Sequence, residues 1–231
     1  MTKTPGRGGS RQLAVRVKTA KKRTVSSKLW LERQLNDPYV AEAKRQGYRS
    51  RAAFKLIEID DKYHLLQPGK RVVDLGAAPG GWSQVAAKRV GSLEGRGRVV
   101  ALDINAFENL PGVTSIILDF LDRTAPDAII DALGGEADVV MSDMAAPATG
   151  HAKTDHLKVM ALCEAALDFA YEVLAPGGVF LAKVFQGGTE HELLAGMKRA
   201  FKTVRHVKPK ASRPESAELY VLATGFRGRA S

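Results

Sequence analysis

Cysteine is almost missing from these 231 residues: Cys163 is the only one. A disulfide framework is therefore excluded within one chain, which fits a reducing compartment, and Cys163 sits in an apolar helical pattern (Met160, Leu162, Ala166, Leu167) that reads as core. Long apolar runs are missing as well. None approaches the roughly 18 to 20 residues of a membrane span, and no signal-peptide segment follows the N-terminus, so a soluble, cytoplasmic chain without membrane contact is expected. None of His64, His151, His156, His191 and His206 stands in ligand spacing with another or with Cys163, so no metal is expected. No repeat or linker marks a second domain.

Acidic residues are absent from residues 1–28, which hold nine Lys or Arg. The formal net charge of +10 is thus largely an N-terminal matter, leaving 26 basic against 25 acidic residues in the rest. With Gly and Ser around Arg7 and Arg11 and the cluster Lys21-Lys22-Arg23, residues 1–27 read as a basic arm, disordered alone and drawn to phosphate. A solubilising tail is the plainer alternative. Pro5, Gly6, Gly8 and Gly9 argue against an amphipathic transit peptide. Residues 28–231 suffice for one α/β domain with a full core.

What is present centres on Val72 to Trp82. The apolar run Arg71-Val-Val-Asp-Leu75 stops at glycines and is followed by an apolar-periodic segment (Trp82, Val85, Ala86, Val90), which reads as strand, tight loop, helix. Glycine lets a ligand approach the backbone, and the helix start offers free N–H groups. The spacing Gly76-x-x-x-Gly80-Gly81 is not the G-x-G-x-x-G of dinucleotide binders, and Pro79 removes a donor that a pyrophosphate would want. A small nucleoside ligand suits the loop better. A bare strand-to-helix turn remains the alternative.

Ser27 can cap a helix from about 28 to 36, and Asp37-Pro38 interrupts before a second helical piece ending at Gly47. Ser50 is expected to cap a third, with Ala53, Leu56, Ile57 and Ile59 as its apolar stripe and Lys55 off it. Strands are expected at 71–75, 99–102, 115–118, 138–141 and 179–184, with helices near 80–90, 124–133, 155–174 and 189–201 and loop over 104–112. Pro176-Gly177-Gly178 marks the turn before the fifth strand. Segments 204–207 and 219–224 read as strands joined by too short a link for a crossover helix, so they should pair antiparallel. The architecture is α/β and Rossmann-like: a mostly parallel seven-stranded sheet with an antiparallel last strand and helices on both faces. That finish points away from dinucleotide dehydrogenases.

In open α/β sheets ligands bind beyond the carboxyl ends of the strands. The second strand ends in Asp103, the third in Asp119 and the fourth in Asp143, while the fifth carries Lys183. Asp103, about 20 residues beyond the loop, can accept both hydroxyls of a ribose. Asp119 could accept from an adenine amino group. A lone strand-end carboxylate is more often a cap or turn residue; carboxylates at successive ends are harder to explain that way. Lys183, in apolar surroundings, needs a carboxylate such as Asp143 to keep its charge, and is a candidate base or orienter or else a snorkelling lysine. Glu218 could be only a charged strand edge and Trp82 only core.

Five ordered motifs then give a resemblance. Arg49-Ser-Arg-Ala-Ala-Phe-Lys-Leu56, Asp74-Leu-Gly-Ala-Ala-Pro-Gly-Gly-Trp-Ser83, Met141-Ser-Asp-Met-Ala145, Ala182-Lys-Val-Phe-Gln-Gly187 and Glu218-Leu-Tyr-Val-Leu-Ala-Thr-Gly225 closely resemble the FtsJ/RrmJ (RlmE-type) ribosomal RNA 2′-O-methyltransferases. The likeness covers about residue 25 to the end. It implies S-adenosylmethionine as cofactor, held by Gly80, Trp82, Asp103, Asp119 and Asp143. It implies a catalytic tetrad of Lys55, Asp143, Lys183 and Glu218. The implied substrate is a uridine ribose of 23S rRNA in the assembled large ribosomal subunit, and the protein is expected to act as a monomer. Arg49 and Arg51 beside Lys55, and Lys208, Lys210 and Arg213 before Glu218, are expected to grip RNA phosphates. Transfer RNA as substrate, or RNA binding without catalysis, are the rival readings. After Met144-Ala145 the chain departs from many relatives with Ala146-Pro-Ala-Thr-Gly-His151.

Overall fold

The chain alternates helix and strand almost where apolar runs and glycine stops place them. The computed structural model describes residues 28, 31, 32, 34–146, 149–186 and 191–228. The basic arm with Ser27 and its cap, Pro147-Ala148 in the departing loop, and the start of the last expected helix at 189–190 lie outside the described residues. Those described between 28 and 35 are helical. Helix α1 (Pro38–Gln46) starts at Asp37, whose carboxylate accepts from Tyr39 N at 3.0 Å, and stops at Gly47 in the left-handed region. Helix α2 (Ala53–Tyr63) has no side-chain cap. Ser50 was expected to supply one, but the turn at 51–52 places the helix start too far on; the Ser50 carbonyl accepts from Ala53 N instead.

Then follow β1 (Arg71–Leu75), α3 (Gly81–Val90), β2 (Arg98–Asp103), β3 (Thr114–Ile117), α4 (Ala125–Leu133), β4 (Ala137–Ser142), α5 (Ala152–Val173), β5 (Leu174–Phe185), α6 (His191–Ala200), β6 (Phe201–Val207) and β7 (Glu218–Phe226). Strand β5 begins five residues before the expected point. Leu174 already pairs with Ala137, and the Pro176-Gly177-Gly178 turn is absorbed as an irregularity between that pair and Val139–Val179.

The seven strands form one sheet in the order β3-β2-β1-β4-β5-β7-β6, parallel except that β7 runs antiparallel to both β5 and β6. Alternation along each strand divides the core in two. Val73, Val100, Val140, Phe180, Ala182 and Val221 face α4, α5 and α6. Val72, Val99, Val139, Leu181, Tyr220 and Leu222 face α2 and α3. Leu56 and Ile59 of α2 are essentially fully buried there, each worth about 1.5 to 3 kcal/mol of burial. The order reverses direction between β1 and β4, and the crevice at their carboxyl ends is where such sheets hold ligands. Among the described residues no helix is long and apolar enough to cross a membrane.

Candidate active site

Strand parity decides which side chains meet at this end of the sheet. Lys183 shares a face with Leu181, and Tyr220 stands directly opposite it across the β5–β7 ladder, so both point toward α2. Glu218, two residues before Tyr220, repeats that orientation. Asp143 follows the last residue of β4, and α2 brings Lys55 from above. The result is an alternating square. Lys55 Nζ lies 2.8 Å from Glu218 and 3.7 Å from Asp143, while Lys183 Nζ lies 2.8 Å from Asp143 and 3.7 Å from Glu218. Lys183 also donates to the Asp143 carbonyl at 2.8 Å, and the Tyr220 hydroxyl donates to Asp143 Oδ1 at 2.6 Å. Lys55 and Lys183 are each only 8% exposed, so these charges interact with little water between them.

Burial and pairing pull in opposite directions at these groups. Burial alone would make Lys183 lose its proton more readily; the charges of Asp143 and then Glu218 overrule it, and the lysine is held above its usual value. Burial likewise works to raise Asp143, but Lys183 and Lys55 outweigh it and hold the carboxyl below the usual range. Burial first, and then the charges of Asp143 and Glu218, push the Tyr220 phenol well up, so it stays a hydrogen-bond donor. The resting site therefore contains an ammonium at Lys183 and a carboxylate at Asp143.

Beside the square a cleft of about 700 Å³ opens between the strand ends and α5. Asp103, Asp119 and Asp143 line it, together with Gly76, Ala78, apolar side chains including Leu102, Phe120, Leu121 and Met144, and the small residues Ala161 and Ala165 of α5. A nucleoside fits this mixture: carboxylates for hydroxyl and amino donors, apolar walls for a ring. Gly76 has φ of +71°, and a Cβ there would stand 2.2 Å from Met144 Cγ. Only glycine lets the loop pass beneath that wall.

The N–H groups of the loop itself, ahead of the helix start, are taken within the fold. Gly76 and Ala77 donate to the Leu102 carbonyl, Ala78 to Asp103 Oδ2, Gly80 to the Ala77 carbonyl, and Pro79 has no donor. The turn is closed on itself because β2 lies alongside and takes its donors. Two further residues assigned to the cofactor are not in the lining of this cleft. Gly80 packs near Leu110 and Arg49, and Trp82 is 3% exposed with its indole N–H on the Ala52 carbonyl and its ring against Tyr220 at 5.6 Å; neither lines the cleft. Helix α3 turns Trp82 inward, into the α2–α3 core.

The basic residues expected at the RNA are mostly engaged within the fold. Arg49 donates to the carbonyls of Pro79, Glu108 and Asn109. Arg51 and Arg213 share the Asp37 carboxylate, and Lys208 donates to the Pro214 and Ser216 carbonyls. Lys210 is exposed.

Three residues were missed. Tyr220 and Ser212, whose hydroxyl donates to Glu218 Oε1 at 2.7 Å, belong to the square. Asp74 lies beneath the loop, buried, accepting from Ser83 Oγ at 2.6 Å. A charge inside Val-Val-Asp-Leu was the available signal for Asp74, and the two-residue step from Glu218 for Tyr220. Desolvation pushes Asp74 up to about 7 against the Ser83 hydrogen bond, with Asp143 and Asp103 adding to the rise. A carboxyl raised on folding gives stability that is full below its unfolded value of 3.8 and is lost as pH rises through about 7. Thermal midpoints should therefore fall more steeply between about pH 5 and 8 in the unaltered protein than in Asp74→Asn, whose amide oxygen can still accept from Ser83. Parallel curves would refute this placement of the Asp74 proton.

Residues 48–226 match the model of the FtsJ-like methyltransferases. The ribosomal RNA large subunit methyltransferase E of Parvibaculum lavamentivorans is 65% identical over 231 residues, covering 97% of this chain and 91% of its own. The same-named protein of Azorhizobium caulinodans is 62% identical over 230 residues, covering 100% and 96%. Among solved structures, a Plasmodium falciparum ribosomal RNA methyltransferase superposes with a TM-score of 0.70 at 28% identity, over 79% of this chain and all of that one. The fibrillarin/Nop5p complex gives a TM-score of 0.51 at 18% identity over 75% and 83%, a likeness of fold.

Proposed function

The chain belongs to the FtsJ-like methyltransferases, and from that premise we propose that it methylates the 2′-hydroxyl of a uridine ribose in 23S rRNA, on the assembled large ribosomal subunit. The observation that carries this reading is the Lys55-Asp143-Lys183-Glu218 square beside a nucleoside-sized cleft. The names borne by the relatives supply the large-subunit RNA. S-adenosylmethionine, the cofactor this reading requires, brings an activated methyl group on a sulfonium. Asp103 would hold its ribose hydroxyls, Asp119 its adenine amino group, and Met144 with Leu121 would wall the ring. The protein is taken to act as a cytoplasmic monomer.

The task left to the protein is alignment. Lys183, charged, holds the lone pair of the entering hydroxyl toward the methyl carbon. The bound cofactor would supply the methyl group, its sulfur keeping the bonding pair, and the proton of the methylated oxygen would pass to water. Asp143 and Glu218 keep Lys183 charged, Tyr220 fixes Asp143, and Lys55 closes the square.

Asp103→Asn is expected to weaken binding of the cofactor or its demethylated product by about ten- to a hundredfold in calorimetric titration, the loss of one charge-assisted hydrogen bond. Unchanged affinity would displace the ribose from Asp103. The whole reading is tested by transfer from labelled S-adenosylmethionine to isolated large subunits, free ribosomal RNA and transfer RNA, with the labelled atom mapped. Label on a uridine 2′-oxygen of large-subunit RNA supports it. Label on transfer RNA alone would change the substrate, and no transfer to any RNA would overturn the reading.

A further inference from the structure

Between β6 and β7 the chain runs through residues 208–217 without regular structure, yet its central residues are pinned from three directions. Ala211 N donates to Glu58 Oε2 of α2 at 3.1 Å, and its carbonyl accepts from Arg51. Arg213 reaches Asp37 Oδ2 at 3.1 Å, where Arg51 also binds at 2.8 Å. Asp37 is itself fixed as the cap of α1. Lys208 folds back onto the Pro214 and Ser216 carbonyls, and Ser216 Oγ accepts from Glu218 N at 3.2 Å. Between the pinned neighbours sits Ser212, 3% exposed, donating to Glu218 Oε1.

Glu218 needs such a holder. Both of its oxygens lie 2.8 Å from Lys55 and Oε2 lies 3.7 Å from Lys183, so how the carboxylate turns decides how it divides between the two lysines. Ammoniums on long, rotatable side chains do not fix that turn; a short hydroxyl on Oε1 does. Resting on the methyl-transfer reading above, we propose that Ser212 is a positioning residue of the reaction centre: its hydroxyl fixes the Glu218 carboxylate, and the Asp37–Arg51–Arg213 cluster serves to hold Ser212 in place. Arg51 and Arg213 are thereby given to the geometry of the site and not to RNA phosphates. Both guanidiniums are already committed to one carboxylate whose side chain is 7% exposed.

The test compares the full-length protein with Ser212→Ala, Ser212→Thr and Arg213→Met on the same RNA substrate. Ser212→Ala should lower kcat about tenfold, with the KM for RNA and the affinity for S-adenosylmethionine within about twofold. Ser212→Thr, which keeps the hydroxyl, should recover most of kcat. Arg213→Met should lower kcat in the same direction with RNA affinity and its salt dependence unchanged, whereas a phosphate-gripping arginine would lose affinity and reduce the salt slope by about one. An unaltered kcat in Ser212→Ala, or loss of RNA affinity in Arg213→Met, would overturn the inference while leaving the methyltransferase reading intact. An unaltered protein that methylates no RNA would overturn both.

Discussion

Lys183→Met is expected to lose about a thousandfold in single-turnover methyl transfer at saturating cofactor and RNA, with both affinities within about threefold of the unaltered protein. The size follows from the position of the group. Lys183 stands on β5 with Asp143 and Glu218 around it, outside the lining of the cleft, so on the proposed reading its removal would take away the group that aims the hydroxyl and leave the cleft walls in place. Methionine keeps the length of the side chain in an almost buried place, which limits collapse of the surrounding core. The carboxylates hold Lys183 charged, so the rate in the unaltered protein should be level between about pH 7 and 9. A tenfold rise per pH unit over that range would show a neutral lysine acting as base, and a full rate in the methionine variant would take Lys183 out of the chemistry.

Asp143→Ala should be as damaging to turnover and should also destabilise the protein by about 3 to 5 kcal/mol in urea unfolding. Asp143 is the nearest partner of Lys183, the second partner of Lys55 and the acceptor of the Tyr220 hydroxyl. Its loss leaves Lys183 buried with Glu218 at 3.7 Å and a buried phenol without that acceptor. The double variant Lys183→Met/Asp143→Ala is therefore expected to be inactive yet to regain about 1 to 3 kcal/mol over the sum of the two single losses, because no isolated charge remains. Additive losses would show that the two side chains are not coupled as their distances indicate.

Strands β1, β2 and β4 were legible because they are mostly buried on both faces and read as apolar runs, stopping before Gly76, at Asp103 and just before Asp143. Asp103, Asp119, Asp143 and Lys183 stood out as polar residues in or at the ends of apolar segments, whereas the roles of Lys55 and Glu218 came only from the resemblance. Ser212 was not, since an irregular segment carries no periodicity and its partner comes from strand register. Arg49, Arg51 and Arg213 were given to RNA because a run of charge names no partner; the structure finds theirs in carbonyls and in Asp37, up to 176 residues away in sequence. Trp82 could be read as core or as a cofactor contact, and the turn of α3 faces its ring into the core. Lys55 lay off the apolar stripe of its helix and is nonetheless buried, because the square gives its charge partners there.

The closed loop from Gly76 to Gly80 bears on how the cleft selects among the adenosine compounds of a cell. ATP and dinucleotides share with S-adenosylmethionine the ring and ribose that the cleft walls would hold. Their phosphates, however, would meet a turn whose amides are already bonded to Leu102, Ala77 and Asp103, with the carboxylates of Asp103 and Asp143 close by. A phosphate arriving there would meet amides already bonded and two carboxylates, a setting that disfavours an anion. The closed turn is thus expected to weigh against nucleoside phosphates and in favour of a donor that carries its positive charge on sulfur.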